Sequence, residues 1–197
     1  AFLFPAAGIL VEKIFSMDAA WAFTVAALLW VYLGIQKGQV TQDGLTGLNN
    51  RRRLDQYMWE LDERSGERET CCYLLMDVNK FKKVNDTYGH VTGDEVLRLV
   101  AEQLKRTFGN MQAFLARYGG DEFVVIVKGK TQDEMDVIIH QTQENVNAIA
   151  WGADTPWQLS ISIGCAMRGE QGKQKSHELL ALADERMYRQ KKGIQDR

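Results

Sequence analysis

Cysteine is scarce in this chain of 197 residues, and its three cysteines are not spaced for a disulfide framework or a zinc site. Cys71 and Cys72 are adjacent and Cys165 stands alone, so the chain has no Cys-x-x-Cys pair and no Cys/His cluster. All three lie in apolar runs, which predicts buried thiols in a reducing compartment. These features argue against disulfide-stapled and structural-zinc proteins.

The chain also lacks a strong charge of either sign. Charged residues make up 25% of it and the formal net charge is −2, so no basic surface favours adhesion to nucleic acid or anionic lipid. No nucleic-acid partner is expected. Internal repeats and low-complexity segments are absent, and the length suits one full domain plus an appendage.

The N-terminal 35 residues differ in kind from the rest. Ala1–Leu10 is almost entirely apolar, and Ala19–Ile35 carries no charge. Trp21 near one end of the second run, with Trp30 and Tyr32 near the other, are typical of membrane-interface anchors. This pattern predicts transmembrane helices, at the short end of the length needed to span a bilayer, belonging to a larger sensor region. A buried or oligomerising helix of a soluble sensor is the alternative.

The basic residues that follow set the expected orientation. Lys37 and then Arg51–Arg53 come directly after the apolar run, which places the downstream side in the cytoplasm. The chain starts at Ala1 within an apolar stretch, so we expect a piece of a longer or processed protein. Residues 1–35 are the predicted hydrophobic segment, 36–42 a connector within the polar stretch Gly34–Gln42, and 43–197 a folded domain.

From Asp43 onwards the pattern alternates strands with helices. The predicted strands are Thr70–Val78, Ala113–Tyr118, Phe123–Val127 and Trp157–Met167, and the clearest helices are Thr92–Phe108, Thr131–Ile149 and Ser176–Lys192. The order β-α-α-β-β-α-β-α has the split βαβ character of a ferredoxin-like fold. We therefore predict an α+β domain with a central, mostly antiparallel sheet flanked by helices.

Acidic residues fall where this fold would bring two chain segments together. Asp77 ends the first strand, and Asp121 and Glu122 sit on the turn of the following hairpin. Carboxylate oxygens of this kind suit magnesium, and two such ions bracket a phosphoryl group in many enzymes. Gly119 and Gly120 would let phosphates approach the backbone. Taken alone, however, a Gly-Gly-Asp loop is ordinary hairpin chemistry and Asp77 an ordinary strand end.

Four longer motifs change this interpretation. They are Asp43-Gly44-Leu45-Thr46-Gly47-Leu48-Asn49-Asn50-Arg51-Arg52, the stretch Asp77–Asp94, Arg117-Tyr118-Gly119-Gly120-Asp121-Glu122-Phe123, and Ala183-Asp184-Glu185-Arg186-Met187-Tyr188-Arg189-Gln190-Lys191. In order and spacing the chain resembles the GGDEF family of diguanylate cyclases over essentially Asp43 to Lys192. That resemblance implies a nucleotidyl-cyclase palm that condenses two GTP into cyclic di-GMP and releases two pyrophosphates.

The resemblance also implies roles for particular residues. Asp77, the Val78 carbonyl and Asp121 would hold Mg²⁺ or Mn²⁺, with two ions expected per GTP site. Glu122, or Asp121 itself, would help deprotonate the ribose 3′-hydroxyl. Lys82 would join them as a catalytic residue that neutralises phosphate charge. The implied substrate-binding residues are the guanine readers Asn85 and Asp94 with His90 nearby, the turn glycines Gly119 and Gly120, and the phosphate-binding Lys191. Because a two-fold product needs two GTP sites, the active unit would be a homodimer. With the predicted membrane segment, the expected location is a bacterial inner membrane, with the catalytic domain in the cytoplasm.

Each of these assignments has a structural alternative. Lys82 could be a solvated helix charge, Asn85 and Asp94 helix caps, and His90 a loop histidine. Arg117 could simply support the hairpin, and Phe81 is expected in the core. At the level of the whole domain, the rivals are a catalytically silent GTP-binding module and a related cyclase acting on another nucleotide, although Asp94 favours guanine.

The sequence departs from the family pattern at four places, of which Asn49-Asn50 before the arginines is a minor variation. Asn79 stands where a second acidic residue is common, and the chain ends in Lys192–Arg197 without the family's frequent Gly-Arg-Asn. The family's product-inhibition motif, Arg-x-x-Asp, corresponds to Asn110–Ala113 here, where neither charge is present. We therefore predict that cyclic di-GMP inhibits only weakly; strong noncompetitive inhibition in a steady-state assay would contradict this.

Overall fold

The computed structural model describes residues 7–9, 20–37, 41–64, 70–150, 158–169 and 174–195. The chain divides into two compact units, Ala1–Thr41 and Gln42–Arg197, and the boundary lies within the predicted connector. In the first unit, residues 7–9 are helical and helix α1 spans Ala20–Lys37. Several large apolar side chains of α1 are exposed, among them Trp21 and Trp30.

The prediction of membrane-spanning helices is not supported. Within the described residues, no helix is both long and apolar enough to cross a membrane. Helix α1 has 18 residues, ending in Gln36 and Lys37. The helix also continues through Gly34 to Lys37, into the predicted connector. Most of Ala1–Leu10 lies outside the described residues, and the inner-membrane location stays a prediction.

The second unit is built on a four-stranded antiparallel sheet. Its strands are β1 (Cys71–Val78), β2 (Ala113–Gly119), β3 (Glu122–Lys128) and β4 (Ile161–Met167), in the spatial order β2-β3-β1-β4. Its helices are α2 (Arg51–Arg64), α3 (Phe81–Tyr88), α4 (His90–Phe108), α5 (Gln132–Asn147) and α6 (Ser176–Gln195). The predicted antiparallel sheet flanked by helices is therefore confirmed. Each predicted strand and long helix has a counterpart within a few residues, while Trp157 lies outside the described residues.

Alternation along the strands gives the sheet two buried faces. In β1 the even-numbered side chains, such as Leu74 and Met76, join one core, and the odd-numbered Tyr73 and Leu75 join the other. Helices α3, α4 and α5 contribute to the first core, and α2 and α6 to the second. Because both faces are covered, β1 reads as one continuous apolar run. Cys71 and Cys72 are buried there without a disulfide, as predicted, whereas Cys165 is only partly buried.

Helix α2 was not predicted from the sequence. It buries Leu54, Met58 and Leu61, which are spaced at i, i+4 and i+7 on one face. Its N-terminus is held by Asn50, whose side-chain Oδ1 accepts a hydrogen bond from Arg53 N at 3.0 Å. The loop before α2 lies along edge strand β2, where Asn49 pairs with Ala116 as a bridge parallel to the strand. This loop covers the otherwise open edge of β2.

Candidate active site

The acidic residues predicted to act together meet at one end of the sheet. Asp77 and Glu122 are directly opposite each other in the register of β1 and β3. The backbone N–H of Val78 donates to the carbonyl of Asp121 at 3.3 Å, which fixes the hairpin turn beside the end of β1. A β-bulge between Arg117 and Gly119 and a positive φ of 38° at Gly120 shape that turn.

Burial and crowding of negative charge perturb these carboxyl groups. Burial, and then repulsion by Asp77, raises the pKa of Asp121 above its ordinary value of 3.8. The pKa of Glu122 is likewise raised by burial and by the charges of Asp77, Asp121 and Asp184. Lys191, on helix α6, opposes both shifts. A raised pKa makes each carboxylate a stronger base than an exposed one. The repulsion between the carboxylates also favours binding of a cation among them.

The donor set fits a hard divalent cation. Aspartate carboxylates and a backbone carbonyl are the oxygen ligands that magnesium prefers, completed by water and substrate phosphate. Among the described residues, no group of three or more histidine, cysteine, aspartate or glutamate side chains is arranged to hold a metal. The predicted set of Asp77, the Val78 carbonyl and Asp121 has only two carboxylates, so it would rely on substrate oxygens. Diguanylate cyclases as a class use divalent metal ions.

Lys191 reaches this cluster from the far end of the domain sequence. Its Nζ donates to Asp77 Oδ1 at 2.6 Å, and the two side chains are 28% and 9% exposed. The sequence marked Lys191 as a phosphate-binding residue but gave no sign of this contact. Helix α6 brings it there because α6 packs on the same face of the sheet as the odd-numbered residues of β1.

The two helices after β1, α3 and α4, carry four of the residues predicted to bind or process the nucleotide. Lys80 turns the chain from β1 into α3 with a left-handed φ of 58°, an uncommon conformation for a residue other than glycine. Lys82 is exposed in the first turn of α3, and His90 is exposed as the first residue of α4. Phe81 packs against the core as predicted.

Asn85 and Asp94 do not cap helices. Asn85 lies within α3 and Asp94 within α4, whose N-cap is Gly89. Asp94 is exposed. Asn85 Oδ1 is buried without a hydrogen-bond partner among the described residues, although buried carbonyl groups are rarely left unpaired. Neither residue therefore has the helix-capping role that was the structural alternative to substrate binding.

Arg117 supports the hairpin. Its Nε and Nη2 donate to the Gly120 carbonyl at 3.0 and 2.7 Å, and its Nη1 lies 3.2 Å from Asp43 Oδ1. Burial opposes ionisation of Asp43, but hydrogen bonds from Thr46 and Arg117 lower its pKa below 3.8. The first motif and the acidic turn are thus one connected structure, a link that spacing alone does not reveal.

Asn79, the residue that departs from the family pattern, has structural partners. Its Nδ2 donates to Ser160 Oγ at 3.0 Å, and its Oδ1 accepts from Ser162 Oγ at 2.7 Å. The amide therefore ties the end of β1 to the start of β4 with both of its polar atoms used. These hydrogen bonds of Asn79 with Ser160 and Ser162 were not predicted from the sequence.

Comparison with known proteins assigns the family. Residues 40–197 match the family model "Diguanylate cyclase, GGDEF domain". The probable diguanylate cyclase DgcI of Escherichia coli (strain K12) is 38% identical over 156 residues, covering 77% of this chain and 31% of DgcI. Diguanylate cyclase DosC of the same strain is 34% identical over 161 residues, covering 78% of this chain and 34% of DosC.

A solved structure agrees with the sequence matches. The GGDEF domain of DgcB from Caulobacter crescentus, in complex with c-di-GMP, superposes with a TM-score of 0.69 at 30% identity, covering 79% of this chain and 92% of that one. The chain belongs to the GGDEF domain family. It spans about a third of the length of the two relatives named above.

Proposed function

We propose that the chain is a diguanylate cyclase that condenses two GTP into cyclic di-GMP with release of two pyrophosphates. The observation that carries this proposal is the convergence of Asp77, Asp121 and Glu122 with Lys191 at one end of the sheet. Oxygen ligands for a divalent cation and a cation for phosphate are the components that phosphoryl transfer requires. Family membership and relatives named diguanylate cyclases support the same reaction.

In this proposal the acidic end of the sheet binds the reacting groups. Asp77, the Val78 carbonyl and Asp121 hold Mg²⁺ or Mn²⁺, two ions per GTP site. When bound, the cations neutralise phosphate charge and favour ionisation of the attacking hydroxyl. Glu122, or Asp121, accepts the proton of the ribose 3′-hydroxyl, and the raised pKa of both carboxyls suits that task.

The remaining residues orient the nucleotide. Lys82 and Lys191 neutralise phosphate oxygens, and Gly119 and Gly120 keep side chains out of the phosphates' way. Asp94 accepts hydrogen bonds from guanine N1–H and the 2-amino group, a donor pair that adenine lacks. The buried Oδ1 of Asn85 is a further hydrogen-bond acceptor for the guanine base. His90 is exposed at the start of α4, four residues before Asp94 in the sequence.

Each protomer presents one GTP, so the product forms only where two protomers face each other. A C2 homodimer satisfies this requirement because it places two copies of the same half-site across one axis. The 3′-hydroxyl of each GTP then attacks the α-phosphate of the other GTP and displaces pyrophosphate. Two such attacks form the two phosphodiester bonds of the cyclic product.

Product chromatography tests the proposal directly. Protein incubated with GTP and Mg²⁺ should yield cyclic di-GMP and pyrophosphate. Asp121→Ala should lose at least about a hundredfold in rate, as expected when a group that stabilises developing charge is removed. Asp55→Ala removes an exposed aspartate from α2 and should leave the rate unchanged. GTP binding without any cyclic dinucleotide would refute the cyclase and favour a silent GTP-binding module.

A further inference from the structure

The contact between Lys191 and Asp77 places two cations in competition for one carboxylate. Asp77 is proposed to bind a divalent cation, yet its Oδ1 already accepts a hydrogen bond of 2.6 Å from the Lys191 ammonium. The Asp77 side chain is only 9% exposed, so little water screens the charges around it. An ammonium and a divalent ion on the same carboxylate would repel each other strongly in such surroundings.

The end of helix α6 is anchored so that this ammonium is held on the carboxylate. Gln190, the residue before Lys191, accepts a hydrogen bond from the backbone N–H of Ile163 at 2.6 Å. One turn earlier, Arg186 donates to the Cys165 carbonyl at 2.6 Å. Both contacts attach α6 to the outer strand β4. Lys191 is therefore positioned by the fold rather than by a chance surface encounter.

Lys191 is the cation that most directly offsets the crowded negative charge of the site. It opposes the repulsion acting on both Asp121 and Glu122, and it pairs with Asp77 itself. Phosphate oxygens of a bound nucleotide would give this ammonium an alternative anionic partner. Once the ammonium moves to phosphate, the Asp77 oxygen becomes available to a metal ion.

We propose that Lys191 is an internal counter-ion that competes with the divalent cation for Asp77 and yields that carboxylate when nucleotide phosphate draws the ammonium away. This inference rests on the proposed function, because it takes Asp77 as a metal ligand. Its consequence is that Lys191 weakens metal binding in the absence of nucleotide and strengthens nucleotide binding in the absence of metal. A residue that acted only by holding the fold together would not have these opposite effects.

The first measurement is metal affinity without nucleotide. Mn²⁺ is titrated into the wild type and Lys191→Met, and binding is followed by electron paramagnetic resonance of the free ion. We expect Lys191→Met to bind Mn²⁺ about tenfold more tightly, since the competing charge is gone, which corresponds to about 1.4 kcal/mol. Lys192→Met is the matched control, because Lys192 is the neighbouring lysine and lies over the Tyr188 ring instead.

The second measurement is nucleotide affinity without metal. GTP is titrated calorimetrically in the presence of EDTA, and Lys191→Met should bind it several-fold more weakly than the wild type or Lys192→Met. Mn²⁺ affinity that is unchanged or lower in Lys191→Met would overturn the inference, and so would unchanged GTP affinity. Neither titration needs turnover, so absence of cyclic di-GMP in the product assay would count against the proposed function alone.

Loss of the counter-ion also has a signature in stability. Without Lys191, the buried Asp77 carboxylate lacks its partner, and a metal ion becomes the group that relieves it. Mn²⁺ should therefore raise the melting temperature of Lys191→Met more than that of the wild type, and Lys191→Gln offers the same test if the methionine variant folds poorly. An equal Mn²⁺-dependent rise in the wild type and in the variant that folds would contradict the inference.

Discussion

At the scale of single residues, Asn85 suggests how a side chain can serve a ligand at the expense of stability. Its Oδ1 is buried and has no partner among the described residues. Leaving such an oxygen unpaired costs roughly 1–3 kcal/mol. Gly93 makes room for it, because a Cβ atom there would lie only 1.9 Å from the Asn85 oxygen. The arrangement makes sense if guanine supplies the missing donor.

Replacing Asn85 with alanine should therefore separate binding from stability. We expect Asn85→Ala to weaken GTP binding about tenfold, because a buried hydrogen bond to the substrate is lost. The free energy of unfolding without nucleotide should stay unchanged or rise by up to about 1 kcal/mol, because the unpaired oxygen is removed. Calorimetric titration with GTP and denaturation with urea measure the two quantities.

The control for this experiment is Asn110→Ala, in an exposed turn before β2, which should change neither quantity. A marked loss of stability in Asn85→Ala with unchanged GTP affinity would show that the amide serves the fold. Gly93→Ala provides an independent comparison, because its Cβ atom would displace the Asn85 amide. It should likewise weaken GTP binding.

Glu134 carries a pH dependence that belongs to the fold rather than to the site. At the start of α5 it forms a capping box with Thr131, and Lys130 donates to its Oε1 at 2.7 Å. These hydrogen bonds, with Lys130 the largest contribution, lower the pKa of Glu134 from 4.5 to about 2. Because the folded-state pKa is the lower one, the stabilisation is present above pH 4.5 and is lost as the pH falls towards 2.

The prediction compares the wild type with Glu134→Gln over this pH range. The variant should be less stable at neutral pH, and the difference should shrink progressively below pH 4.5, as measured by urea denaturation. High salt should also reduce the difference, since the carboxylate is exposed. Gln141→Ala, at an exposed position of the same helix, removes no ionisable group and should show no comparable pH-dependent difference. A constant difference across the acid range would rule out the capping carboxylate as its source.

At the scale of elements, α6 closes the outer edge of the sheet. Side chains from helices, rather than another strand, bond three backbone groups of β4. Gln190 accepts from Ile163 N–H, Arg186 donates to the Cys165 carbonyl, and Gln143 of α5 donates to the Ile161 carbonyl at 3.3 Å. An edge strand covered in this way has fewer free groups for pairing with another chain. The same contacts set the position of Lys191.

The close approach of α6 to β4 depends on Gly164. A Cβ atom at this position would lie 1.9 Å from the Ala183 carbonyl oxygen and 2.4 Å from the Met187 nitrogen, both in the backbone of α6. Gly164→Ala should therefore force helix and strand apart and cost about 3 kcal/mol or more in the free energy of unfolding, at or above the upper end for overpacking. Urea denaturation measures the loss, and activity should fall with it.

Gly193→Ala serves as the matched control. It lies on the same helix, and a Cβ atom there would meet nothing within 4 Å. In a helix, alanine is favoured over glycine by up to about 1 kcal/mol, so this variant should be as stable as the wild type or slightly more stable. If Gly164→Ala were as stable as Gly193→Ala, the close packing of α6 on β4 would not depend on the missing side chain at position 164.

The elements that the sequence predicted well are those with a strong period. Helix α4 and strand β1 have continuous apolar faces, so both lie within two residues of the predicted bounds. Helix α2 was missed because only Leu54, Met58 and Leu61 mark its buried face, among many charges. The Gly-Gly-Asp-Glu turn could be placed opposite Asp77 from strand order. The contacts of Lys191 and Arg117 could not, because they depend on how separate elements dock.

At the scale of the whole molecule, the proposed reaction requires two copies of the chain. A single half-site provides one nucleotide, whereas the cyclic product joins two. Specific activity should therefore rise with protein concentration and reach a plateau once dimers predominate. Excess Asp121→Ala should depress wild-type activity, because mixed dimers contain one defective half-site. Constant specific activity from a species that sediments as a monomer would exclude this arrangement.

The N-terminal unit offers a way to control that pairing. It is compact in its own right, and its helix α1 exposes large apolar side chains such as Trp21, Leu28 and Trp30. We expect this unit to favour association of two chains, since exposed apolar surface of this kind marks an interaction site. A fragment of residues 42–197 should then need a higher concentration than the full chain to reach the same specific activity. Sedimentation and initial rates, measured in parallel, test this: equal dimerisation and equal activity of fragment and full chain would show that the N-terminal unit has no part in assembling the active pair.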